Sequence, residues 1–132
     1  MKKEIANVWS KALRSGKYKQ GRAALASQRE DGSWSYCCLG VLCEVGKRKG
    51  VDLEILKRER GYSVRKFYSG HDTDLPPEIK NWSGMESREG RYKNKHGSIR
   101  SLTIFNDGNN KGVVSRSFEE IADIIDEHWR LL

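Results

Sequence analysis

Three cysteines, Cys37, Cys38 and Cys43, fall inside the otherwise apolar run SWSYCCLGVLCEVG, residues 33 to 46. Thiols this close together can bind a metal, pair with one another or act as nucleophiles. A structural zinc takes four ligands, usually as two cysteine or histidine pairs. Neighbouring side chains point ~100° apart on a helix and to opposite faces on a strand, so Cys37 and Cys38 are badly placed to share an ion. Nothing in the spacing ties His71 or His96 to them. An odd number of cysteines without a secretion signal argues against a disulfide framework. A nucleophilic thiol needs a base and a lowered pKa, whereas Leu39, Val41, Leu42 and Val45 surround these three. The run reads as core, since free cysteine packs as a small hydrophobe. No catalytic residue, metal ligand or cofactor is assigned.

A second stretch, RSGKYKQGR, gathers Arg14, Lys17, Lys19, Gln20 and Arg22 around Tyr18 at the passage from a helix to a strand. Cations can hold phosphates while Tyr18, Trp34 or Tyr36 stacks on a base, a combination used for nucleotides and single-stranded nucleic acid. Strand alternation sets Tyr18 and Gln20 on one face and Lys17 and Lys19 on the other, so the whole set cannot meet one ligand. Asn106 and Asp107 are candidates for contacting a ribose or base, and also ordinary terminators before Gly108.

Other motifs carry less. His71-Asp72-Thr73-Asp74 has the His-Asp pair of metal phosphohydrolases without their further ligands, and reads as a turn with Asp74 capping the next helix. Residues 107 to 118 begin like a calcium loop, but Lys111 and Phe118 stand where oxygen ligands are required. Neither GxxxxGK[ST] nor GxGxxG occurs.

The elements that position these residues follow from periodicity. Ile5, Val8, Trp9, Ala12 and Leu13 form a helical stripe closed by Ser15-Gly16. Residues around Asp31-Gly32 join two short strands. From Cys38 a helix apolar nearly all round belongs inside. Lys47 to Gly61 is dense in charge and reads as a solvated turn with a weak helix or loop; Tyr62 to Tyr68 reads as a strand. A short helix runs from Pro76 to about Trp82 and ends at Gly84. Residues 83 to 98 form a charged excursion, in which a hairpin fits. Ser101 caps the short helix LTIFND, and Ser117 with Glu120 makes a capping box for the last helix, striped by Phe118, Ile121, Ala122, Ile125 and Trp129.

The chain has 132 residues with 25 Lys and Arg against 18 Asp and Glu, a net charge of +7. One domain, 1–132, is expected, and the charge favours anionic partners. No run approaches the ~20 apolar residues of a membrane span and no signal peptide is evident, so a cytoplasmic protein with no membrane partner is expected. The fold expected is α+β, a small antiparallel sheet packed against N-terminal, central cysteine-bearing and C-terminal helices.

Four stretches together carry a resemblance: W-x3-L-R-S-G-K-Y-K-Q-G at 9–21, Y-C-C-L-G-V-L-C-E at 36–44, L-P-P-x4-W at 75–82, and F-N-D at 105–107 followed by S-F-x-E-I-A-D-I-I at 117–125. The chain resembles a family of small phage and prophage proteins, most of which read Leu where Phe105 stands. By analogy with phage proteins of this size, the resemblance implies an anti-defence role in the host cytoplasm. A homo-oligomer would sequester a nucleotide-derived immune signal, such as a cyclic oligonucleotide or a cyclic ADP-ribose variant, without catalysis. In this reading Arg14, Lys17, Lys19, Gln20 and Arg22 hold phosphates, Tyr18, Trp34 and Tyr36 stack, and Asn106 and Asp107 contact ribose or base. A phosphodiesterase, a nucleic-acid binder and a host-protein binder are the alternatives.

Overall fold

The computed structural model describes all residues from 1 to 132. Helix α1, Lys3–Arg14, is followed by three short strands, β1 (Lys19–Gln20), β2 (Ala26–Gln28) and β3 (Trp34–Tyr36), then helix α2, Cys38–Arg48. The hairpin β4 (Ile55–Arg60) and β5 (Ser63–Tyr68) precedes α3 (Pro77–Ser83). A small hairpin, β6 (Arg91–Lys93) with β7 (Ile99–Ser101), leads into α4 (Leu102–Asp107), and α5 (Phe118–His128) ends in a 3₁₀ turn, Trp129–Leu131. The main sheet has the order β1-β3-β2-β5-β4. All its pairs are antiparallel except β1 with β3, which align Lys19 with Ser35 and Gln20 with Tyr36 in parallel. The architecture is the expected α+β, with a sheet mixed at one edge.

Helix α2 is central because it has no polar face to show water: all its residues from Cys38 to Cys43 are buried, as are Val45 and Gly46. Gly40 lets the chain before β2 press against the helix. A Cβ at that position would lie 1.8 Å from the Leu25 carbonyl oxygen. Around α2 pack Trp9 and Leu13 of α1, Ile79 of α3 and Leu102 of α4, and Ile121 and Ile125 of α5 close on α1 and α4, within one core of 24 buried residues that draws on every helix. The Trp9 indole N–H donates to the Cys38 carbonyl at 2.9 Å, so even this buried aromatic has its polar atom satisfied. No helix is long and apolar enough to cross a membrane.

Three local expectations change. Residues 55 to 60 form a strand, and not a helix or loop: β4 is a sheet edge whose residues are exposed after Ile55, so no apolar alternation marks it. Asp74 does not cap α3; its carboxylate pairs with Arg88 at 2.9 Å, and the helix starts after Pro76. Ser101 occupies the N-cap position of α4, but its hydroxyl meets Thr103 Oγ1 at 2.7 Å and not a helix N–H. The capping box of α5 is present as expected, Ser117 Oγ accepting from the Glu120 N–H and Glu120 from the Ser117 N–H.

Candidate functional site

The ten residues singled out in the sequence do not converge on one cavity. Arg14 is turned to α5, where its guanidinium donates to Asp123 at 2.5 Å and pairs with Asp126 at 2.8 Å. Lys19 is exposed, 4.0 Å from Asp31. Trp34 and Tyr36 belong to the seam between sheet and α2. The Lys66 ammonium lies 4.9 Å from the Trp34 ring and donates to the Tyr36 hydroxyl at 2.9 Å and to Glu44 at 2.9 Å, and Lys57 lies 5.6 Å from the same indole.

Gln20, Asn106 and Asp107 form a polar staple. Fully buried Asn106 donates to the Gly21 carbonyl at 2.8 Å and to Asp107 at 2.7 Å, and accepts from the Cys38 N–H and from Gln20, both at 3.1 Å. Gln20 also donates to the Arg116 carbonyl at 2.8 Å and accepts from the Phe118 N–H at 3.0 Å. Asp107 accepts from the N–H of Ala23, which holds a left-handed φ of 63°. The staple therefore joins β1, the start of α2, the end of α4 and the start of α5. No buried side-chain polar atom in the protein lacks a partner.

Lys17 and Tyr18 do line a cavity, of about 280 Å³, together with Val8, Lys11 and Ala12 of α1, Ser15, and Val45, Arg48 and Lys49 at the end of α2. Local chemistry builds it. Helix α1 stops where the Ser15 hydroxyl donates to the Ala12 carbonyl at 2.6 Å and accepts the Lys17 N–H at 3.2 Å, with Gly16 at a φ of 75°. The chain so turned lays Tyr18 against the last turn of α2, where Arg48 donates to its hydroxyl at 2.8 Å. The Tyr18 ring meets Tyr36 edge-on, 5.3 Å between centroids, and burial raises its phenol, which stays protonated at neutral pH.

Cations in the last turn of a helix complement its dipole, which is reason enough for Lys11 on α1 and Arg48 on α2. The convergence of the two helix ends goes further. None of Lys11, Lys17, Arg48 and Lys49 pairs with a carboxylate, and none lines the cavity with them. Two helix C-termini contribute about half a negative charge each, so the four cations leave the cleft strongly positive. Beyond Val8 and Lys49 it adjoins a second hollow lined by Glu4, Ile5 and Trp82. Lys11, Arg48 and Lys49 were missed in the sequence because each reads alone as a solvated helix-end charge.

The cysteines are buried, Cys37 being 5% exposed and the other two 0%. Burial pushes the Cys37 thiol up to about 12 and the thiols of Cys38 and Cys43 well above their ordinary value, the opposite of what a nucleophile requires.

Comparison with curated proteins and with solved structures gives no match. A family model does match, over residues 1–129, nearly the whole chain. The chain accordingly belongs to the uncharacterised family described as Domain of unknown function (DUF8296).

Proposed function

We propose that the chain binds a phosphate-bearing, nucleotide-type small molecule in the cleft between α1, the Ser15–Tyr18 turn and the end of α2, and holds it without turning it over. The observation that carries this reading is the gathering of Lys11, Lys17, Arg48 and Lys49, unpaired with any carboxylate, around one cavity beside Tyr18. Cations surround the anionic groups while Val8, Ala12, Val45 and the tyrosine ring supply the apolar wall that small-ligand sites need. No carboxylate, imidazole or thiol lines the cleft itself, and the one acid of the adjoining hollow, Glu4, has no histidine or thiol beside it to activate as a nucleophile. The volume lies just below the ~300–1,000 Å³ usual for ligand pockets, and the adjoining hollow of about 340 Å³ toward Trp82 extends it.

The resemblance to phage proteins makes nucleotide-derived immune signals the first ligands to test. Sequestration by a homo-oligomer in the host cytoplasm completes the proposal. A thermal-shift panel of cyclic dinucleotides, cyclic trinucleotides and ADP-ribose derivatives tests it, since a ligand at 100 times its dissociation constant adds about 2.7 kcal/mol of stability. The expected result is stabilisation by at least one compound, recovered intact after heat denaturation. Product peaks would replace holding by hydrolysis, and a panel without any shift would remove the small-ligand reading.

A further inference from the structure

A second group of basic side chains gathers where the segment before α5 is tied to α4 by the Arg116 N–H to Phe105 carbonyl bond. A hollow of about 630 Å³ lined by Arg100, Phe105, Gly112, Val113, Val114, Ser115, Arg116 and Glu120 adjoins one of about 330 Å³ lined by Gln20, Arg22, Ser115, Arg116 and Ser117. Three guanidinium groups face this basin, and two are held in place by the protein. Arg22 donates to the Ser115 hydroxyl at 2.6 Å. The Arg116 guanidinium lies 4.9 Å from the centre of the Phe105 ring, and its backbone is pinned on both sides: its N–H donates to the Phe105 carbonyl at 2.7 Å and its carbonyl accepts from Gln20. Arg100, on β7, makes no side-chain hydrogen bond or ion pair and is exposed.

The one acid in the basin is Glu120. Its Oε1 accepts the Ser117 N–H at 3.2 Å and hydroxyl at 3.3 Å, and its Oε2 lies 4.0 Å from Arg116, so one carboxylate stands against three guanidinium groups. The capping box also satisfies the start of α5, so the arginines carry the site and not the helix end. A guanidinium laid over an aromatic ring keeps its edge N–H groups directed outward, the geometry that grips two oxygens of one phosphate. Holding Arg116 and Arg22 before a ligand arrives lowers the entropy cost of that grip.

We propose that this basin binds a phosphate dianion, a terminal phosphomonoester or a pyrophosphate, forked between Arg22 and Arg116 with Arg100 closing on it. Attached groups would lie along Phe105, Val113 and Val114. The site is independent of the lysine-lined cleft and shares no residue with it.

The test uses the full chain carrying Lys17→Ala and Lys49→Ala, which weakens the cleft, titrated with inorganic pyrophosphate by calorimetry. The expected result is one equivalent bound on this background. Adding Arg100→Gln should weaken it about threefold, and Arg22→Gln with Arg116→Gln at least tenfold, as loss of two charge-assisted forks demands. Arg100 has no partner in the protein, so its variant should keep the parent melting temperature; if the double variant fails to fold, Arg100→Gln alone decides. Absence of pyrophosphate binding on this background, or binding unchanged by Arg100→Gln, overturns the site. If the cleft is the part that fails, wild type and the Lys17→Ala/Lys49→Ala chain bind pyrophosphate alike while the arginine variants still weaken it. A nucleoside 5′-diphosphate and a 5′-phosphorylated dinucleotide then distinguish a free nucleotide from a strand end; binding either supports the site. A dinucleotide lacking the 5′-phosphate that binds as tightly as the phosphorylated one refutes it.

Discussion

Replacing Asn106 with Ala removes four hydrogen bonds from the junction of β1, α2, α4 and α5. The Cys38 N–H loses its acceptor in a fully buried position, which costs about 1–3 kcal/mol. The Gly21 carbonyl loses its donor, whereas Gln20 keeps the Arg116 carbonyl and Asp107 keeps the Ala23 N–H, so these losses add about 1 kcal/mol each or less. The vacated space in a packed interior adds a further penalty. Together the substitution should cost about 3–5 kcal/mol, a large share of the ~5–15 kcal/mol that holds a domain folded. Urea unfolding followed by tryptophan fluorescence reads this as a lower midpoint with an unchanged slope. Asn106→Asp keeps the oxygen that accepts from Cys38 and Gln20 but sets a second carboxylate against Asp107, so it should be destabilised at pH 7 and regain stability as acid restores a donor. An Asn106→Ala chain within 1 kcal/mol of wild type would show that the staple does not hold these elements together.

Gly40→Ala, a change worth about 1 kcal/mol of added stability in an exposed helix, should here destabilise by about 3 kcal/mol or more, because its Cβ would sit 1.8 Å from the Leu25 carbonyl oxygen. A thermal melt reads the sign. Ser117→Ala, which breaks the capping box of α5, should cost about 1 kcal/mol, measurable in the same urea assay. The thiols should resist iodoacetamide at pH 8 in the folded chain and react on unfolding. Because folding raises the Cys37 thiol from 9.0 to about 12, the unfolded chain releases that proton first, and stability should fall as pH rises from about 9 toward 12. Tyr18 and Tyr92, also raised by burial, act in the same direction; a melting temperature that climbs over this window would contradict the burial of these groups.

Helices α1, α2 and α5 and the Ala26–Tyr36 hairpin were legible because each carries its own signal: a stripe, an all-apolar run, a capping box, an Asp-Gly turn. β4 was not, since an edge strand with both faces wet has the composition of a loop. The candidate site was half legible. Lys17 and Tyr18 lie in the turn that the local motif marks, but the partners of that turn come from the ends of two helices, and only the packing of α1 against α2 brings Lys11, Arg48 and Lys49 to it. Arg14 looked like part of the same basic cluster; its neutralising partners, Asp123 and Asp126, lie over a hundred residues away in sequence. Asn106 and Gln20 were visible as polar groups suited to ligand contact, and the structure engages both in bonds within the protein, which no local pattern announces.

The lysine-lined cleft is tested most directly by calorimetric titration of a stabilising compound from the nucleotide panel into wild type and into the Lys17→Ala/Lys49→Ala chain, at low and at physiological salt. Neither lysine side chain makes a hydrogen bond or ion pair within the protein, so the fold should be untouched. Removal of two cations near a phosphate should weaken binding about tenfold, with a smaller loss of affinity on adding salt than wild type shows. Equal affinity and equal salt dependence in the two chains would contradict phosphate capture in this cleft.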